Sequence, residues 1–187
     1  YKKLVDEAYL CNKDFGISVA EAYYKLLAYK DEYEVARLHV TFLKEGLENT
    51  FDNIGKVKFH LAPPLISKKD KSGNLIKKEF GSWLFPIMKL LAKGKILRGT
   101  IFDIFGYTAE RKLERNLATE FEKDIKLCIH NFHDDIVDEI IERASIPLEY
   151  KGFGHVKLKS IKESEEKISH IMSTIINKKT KANYKVA

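Results

Sequence analysis

Counted at 100° per residue from Ser18, the run to Leu43 spreads Val19, Tyr23, Leu26, Leu27, Tyr33, Val35, Leu38, Val40 and Phe42 over most of a helical circumference. Only the sector holding Glu21, Lys25, Glu32 and His39 is solvent-like. A helix apolar on nearly every face has to be surrounded by other elements, so the pattern predicts a central, buried helix over residues 19–43. "SVAE", residues 18–21, is a capping box that would start it, and Gly46 marks its end. Yet Lys30 and Arg37 fall at about 120° and about 100° on that wheel, inside the apolar arc, with Glu34 beside them at about 160°. Charges turned inward are costly unless matched.

Their partners are sought in "KILRGTIFDIFGYTAERKLERNL", residues 95–117, which crowds Arg98, Asp103, Arg111, Glu114 and Arg115 around a glycine-aromatic loop. Thr108 can cap a helix running to about Phe132, whose apolar arc passes through Leu113, Leu117, Phe121, Ile125 and Ile129. Glu110 and Glu114 lie within that arc and Arg111 on its edge. Inward cations on one helix and inward carboxylates on another make an interhelical ion-pair network the economical expectation. The alternative is an anion pocket using Lys30, Arg37, Arg98 and Arg111. Acid–base catalysis by Glu110 and Glu114 has no nucleophile or cofactor motif beside it.

The remaining 187-residue chain reads as a mainly α (α+β) domain, helices around the central one, with one small antiparallel β-hairpin. Residues 1–11 look like a helix. "KVKFHL" alternates and stops at Pro63 and Pro64, and "LIKKEF" pairs back across the "DKSGN" turn. Further helices are predicted over 82–93 with Pro86 in the first turn, over 134–144 before Pro147, and over 158–177 on the stripe Ile161, Ile168, Ile171, Met172, Ile175. No internal repeat or linker divides the chain, so a single domain over residues 1–187 is expected, with a basic, flexible tail at 178–187.

The net charge of +6 invites a nucleic-acid reading, but its location argues otherwise. Four of the lysines stand in the tail without an acid, and residues 67–79 carry five lysines against Asp70 and Glu79. Elsewhere the chain is close to neutral, with no basic stripe interleaved with stacking aromatics. No apolar run approaches the roughly 18–20 residues of a membrane span, and no secretory leader pattern opens the chain. Cys11 and Cys128 lack metal-ligating spacing and read as reduced thiols, in keeping with a cytoplasmic protein. The chain opens on Tyr1 without an initiator Met, in keeping with a piece of a longer protein.

Weaker motifs are also present. "CIHNFHDD" gathers Cys128, His130, His133 and Asp134, but it straddles a helix end and has no second cluster, so no metal site is assigned. "KGFGHV" lacks the glycines and strand-to-helix context of a dinucleotide or phosphate loop. His60 in the strand and His155 in the glycine loop are secondary candidates, structural hydrogen-bonding roles being favoured for both.

Taken together, "KLLAYKDEYEVARL", "KFHLAPPLI", "FGSW", "LLAKGKILRGT", "FGYTAERKLER" and "KGFGHVK" resemble the C-terminal domain of long bacterial indolepyruvate ferredoxin oxidoreductases. The blocks are spread over nearly the whole span of residues 24–157. The resemblance implies a parent enzyme, a homo-oligomer, that decarboxylates an aryl 2-oxo acid oxidatively to an acyl-coenzyme A and passes electrons to ferredoxin. It also implies thiamine diphosphate, magnesium, an iron–sulfur cluster and coenzyme A for that parent. None of these cofactors is expected in this segment, which lacks a thiamine diphosphate motif and has two cysteines where a four-iron cluster takes four. The segment is therefore expected to be a non-catalytic accessory domain that contacts the parent's other domains. Two departures, Ile104 and Ser82 where prolines are expected, loosen a turn and a helix start.

Overall fold

The computed structural model describes residues 1–52, 55–63, 67–68, 70, 76–152 and 155–184, without the side chains of Lys44, Glu48, His155 and residues 179–184. It is mainly helical with one antiparallel two-stranded sheet, the expected fold class. The chain forms two compact units, one from Tyr1–Tyr29 with Leu113–Ala187 and one from Lys30–Lys112.

The first unit contains α1 (Lys2–Cys11), α2 (Lys13–Leu27), α6 (Ala109–His130) from Leu113 onward, α7 (Val137–Glu149) and α8 (His155–Tyr184). Asn12 divides α1 from α2. Its extended backbone ends the first helix, and its side-chain oxygen accepts from the amides of Asp14 and Phe15, capping the second. The capping box expected at Ser18 is thus not the helix start; Asn12 acts one turn and more earlier. At Gly16 an added Cβ would stand 2.5 Å from Tyr9 Cα, so the two helices approach closely only because glycine is there.

α2 turns Phe15, Val19, Ala22, Tyr23 and Leu26 inward against Ile140, Ala144 and Ile146 of α7, Phe121, Ile125 and Cys128 of α6, and Ile161, Ile171 and Ile175 of α8. Lys25 caps α7 by donating to the carbonyls of Leu148 at 2.7 Å and Tyr150 at 2.9 Å. α7 runs beyond its expected end and contains Pro147. A proline in the last turn forfeits one ladder hydrogen bond, and this one is fully buried in the core. α8 likewise extends past its predicted 158–177 limits, on the predicted stripe.

The second unit contains α3 (Glu32–Thr41), a π-helical turn at Phe42–Leu47, the single turn α4 (Glu48–Thr50), β1 (Phe59–Leu61), β2 (Lys78–Phe80), α5 (Leu84–Lys93) and a 3-10 turn at Gly94–Leu97. The strands pair Phe59 with Phe80, His60 with Glu79 and Leu61 with Lys78, as the hairpin reading requires. The "DKSGN" turn lies outside the described residues apart from Asp70. Ala36, Phe59 and Met88 form a small core, with Val40, Leu61, Phe80, Leu84 and Leu91 packed around it.

The predicted helix over 19–43 is corrected: it is two helices, α2 and α3, broken at residues 28–31. Asp31 takes an extended conformation and its carboxylate accepts from the Glu34 amide at 2.8 Å. That cap resets the helical phase, so angles counted from Ser18 do not carry past Leu27.

Candidate functional site

The charged candidates of the second unit gather at the start of α3. Asp31 is nearly fully buried and divides its oxygens between two tasks. Oδ1 caps α3, while Oδ2 accepts from Arg98 Nε and stands 2.5 Å from Arg98 Nη2. One residue on, Glu32 meets Arg111 in a bidentate pair at 3.2 and 3.3 Å, with both side chains largely sequestered. Glu34 takes Arg37 at 2.7 Å and has Lys95 at 3.7 Å; the Arg37 hydrogen bond holds its carboxyl below the usual range.

The glycine-aromatic loop after Arg98 is organised by Asp103, which is buried. Its carboxylate accepts from the Gly99 amide at 2.9 Å, the Gly106 amide at 3.0 Å and the Tyr33 hydroxyl at 3.3 Å. Gly99 has φ +76°, a conformation that favours glycine, and a Cβ at Gly106 would collide with the Asp103 carboxylate. Tyr33 packs edge-on against Phe105 with ring centres 5.3 Å apart. Burial, then the Asp103 charge, pushes the Tyr33 phenol up. Thr108 begins α6 as expected, accepting from the Arg111 amide at 3.4 Å. The same loop leaves Ile101, Phe102 and Ile104 in solvent, at 79%, 67% and 60% exposure, and Ile96 in the preceding 3-10 turn is 85% exposed.

In the first unit, Glu114 is buried and takes both oxygens to Lys157 Nζ, at 2.6 and 2.8 Å. Asp124 pairs with the buried Arg143, whose guanidinium also lies over the Phe121 ring at 5.4 Å. Tyr23 donates to Glu122 at 2.8 Å, and burial with that bond raises its phenol to about 12. Burial raises the Cys128 thiol to about 12 as well.

These positions correct the expected pairing. Lys30 and Arg37 are exposed rather than inward: Lys30 lies in the break before α3, and the phase of α3, set by Asp31, turns Arg37 outward. Glu110 is also exposed. Glu114 does turn inward, but Lys157 rather than Lys30 or Arg37 meets it. His60 is exposed on β1, its Nε2 3.9 Å from Glu79 across the ladder, while Lys58 holds the same carboxylate at 2.8 Å. The side chain of His155 lies outside the described residues. Asp31, Lys157 and the Asp124–Arg143 pair went unnoticed in the sequence. "DEYE", residues 31–34, is a capping signature that marks Asp31; Lys157 carries no local mark.

Among the described residues no group of three or more His, Cys, Asp or Glu side chains could hold a metal ion. None of the described helices is long and apolar enough to cross a membrane. What the arrangement does chemically is neutralise: Asp31, Glu32, Glu114 and Arg143 each meet a counter-charge from their own unit, while Asp103 is satisfied by backbone amides and a tyrosine hydroxyl.

No match was found among curated proteins or solved structures. The model of one protein family, described as a family of unknown function (DUF6537), matches residues 1–170, and the chain belongs to that family.

Proposed function

We propose that the chain is a non-catalytic accessory domain, working in the cytoplasm, that contacts other domains of an enzyme resembling indolepyruvate ferredoxin oxidoreductase. The observation that carries the proposal is the apolar loop. Asp103 ties residues 99–106 together through the Gly99 and Gly106 amides and the Tyr33 hydroxyl, while Ile101, Phe102 and Ile104 stand exposed. Fixing large apolar side chains in water is unfavourable by itself and favours a surface that another protein surface covers. The cations that would otherwise serve an anionic ligand support the same reading. Arg37, Arg98 and Arg111 are already matched by Glu34, Asp31 and Glu32.

The redox cofactors belong, in this proposal, to the parent's other parts. The chain's two cysteines do not fit a four-iron cluster, and Cys128 is a buried, strongly protonated thiol. The test is Ile101→Ser with Phe102→Ser in the complete parent enzyme. Loss of assembly by light scattering, with the thermal midpoint of the separate chain unchanged, is the expected result. Full assembly and turnover would overturn the proposal. Binding of coenzyme A to the chain by calorimetry, lost in Arg98→Ala, would instead establish the anion-site alternative.

A further inference from the structure

A groove of about 480 Å³ runs between α3, the hairpin and α5. Val35 and Ala36 form one wall, Phe80 another, and Ile87, Met88 and Leu91 the third. Its volume lies within the range of about 300–1,000 Å³ usual for small-molecule sites, and such sites pair an apolar lining with a few polar groups. The charged groups of its lining are Glu32, Glu110 and Arg111, which the Glu32–Arg111 pair and the adjacency of Glu110 bring together.

The charge of that cluster decides what can bind. Arg111 gives Nε and Nη2 to the two oxygens of Glu32, so those two residues cancel. No side-chain hydrogen bond or ion pair of Glu110 is seen among the described residues, although its charge is felt by Arg111, so the three residues together carry one net negative charge. A carboxylate ligand would meet Glu110 with like charge, whereas an ammonium would find an open acceptor. The apolar walls require carbon on the rest of the ligand.

We infer that this groove binds a small cationic amphiphile, a compact aliphatic or aromatic body ending in a protonated amine placed against Glu110. The inference rests on the second unit alone and stands whether or not the assembly proposal above is right.

Trp83 is the protein's one tryptophan and forms part of the groove, half exposed, so its emission reports occupancy. The full chain is titrated with octylamine and with 4-phenylbutylamine, each against its carboxylate counterpart, octanoate and 4-phenylbutyrate, below micellar concentration. The expected result is a saturable shift of Trp83 emission with the amines and binding at least about tenfold weaker with the acids. Glu110→Gln should weaken the amines about tenfold, the equivalent of about 1.4 kcal/mol, and erase the difference between amine and acid. Ile87→Arg, at a half-exposed wall position, should abolish amine binding while leaving the far-ultraviolet circular dichroism unchanged. Equal binding of amine and acid, no saturable shift, or an amine preference that survives Glu110→Gln would each overturn the inference.

Discussion

Asp103 shows how one side chain can fix a loop that has no regular structure. Replacing it with Ala would leave the Gly99 and Gly106 amides and the Tyr33 hydroxyl without their shared acceptor. Unsatisfied buried donors cost about 1–3 kcal/mol each, part of which water recovers at the more open Gly99, so Asp103→Ala should cost about 2–4 kcal/mol by urea denaturation. Tyr33→Phe, which removes one donor and keeps the ring on Phe105, should cost about 1 kcal/mol. The charge pairs separate in the same way. Arg37→Ala should leave the thermal midpoint almost unchanged, since its bond to Glu34 is an exposed helical pair. Glu114→Ala and Lys157→Ala should each lower it clearly, and the double variant should cost less than the two losses together. Additive losses would mean the two groups act separately. Inward charge was legible in the sequence for Glu114 because it lies on an uninterrupted apolar arc. Its partner was not, because Lys157 stands 43 residues away at a helix start with no pattern of its own.

At the scale of elements, caps decide where pattern alone misleads. The apolar residues from Val19 to Phe42 are continuous in the sequence, and nothing between Leu27 and Asp31 is a glycine or proline. The break comes from Asp31 capping its own helix, a local hydrogen bond that hydrophobic periodicity does not register. The hairpin was legible because alternation, a turn signal and two prolines agree on it. Asn12 carries the same kind of local signal between α1 and α2. Asn12→Ala should cost about 1 kcal/mol, read as a lowered thermal midpoint, while Asn12→Asp should retain most of the stability. Gly16→Ala should be worse than either, since Tyr9 backbone occupies the space its methyl needs.

For the whole molecule, alkaline pH is the condition that should expose the core of the first unit. Cys128 and Tyr23 keep their protons to about pH 12 when folded, whereas unfolded thiol and phenol release them near about 8.5 and about 10. Both folded pKa values are raised, so the associated stability is complete below those unfolded values and is lost as pH climbs toward 12. Thermal midpoints measured from pH 8 to 11 should fall with a slope that Cys128→Ala makes shallower; an unchanged slope would show that Cys128 does not contribute. In the same pH range a thiol reagent should label Cys11, which is half-buried, well before Cys128.

That first unit is assembled from the two ends of the chain, with Lys30–Lys112 lying between them in sequence. On the ribosome this imposes an order of events. Phe15, Val19 and Leu26 are made well before Phe121, Ile125 and Ile140, which share their core and follow only after the intervening stretch. At about 5–20 residues per second the wait is on the order of 5–23 s, during which α1 and α2 present an uncovered apolar face to the cell. Within residues 1–187, α1 and α2 are therefore the segment whose apolar face waits longest for its cover, and the one a chaperone would hold. Slowing translation within residues 30–112 should raise aggregation of newly made protein without changing the stability of what has already folded.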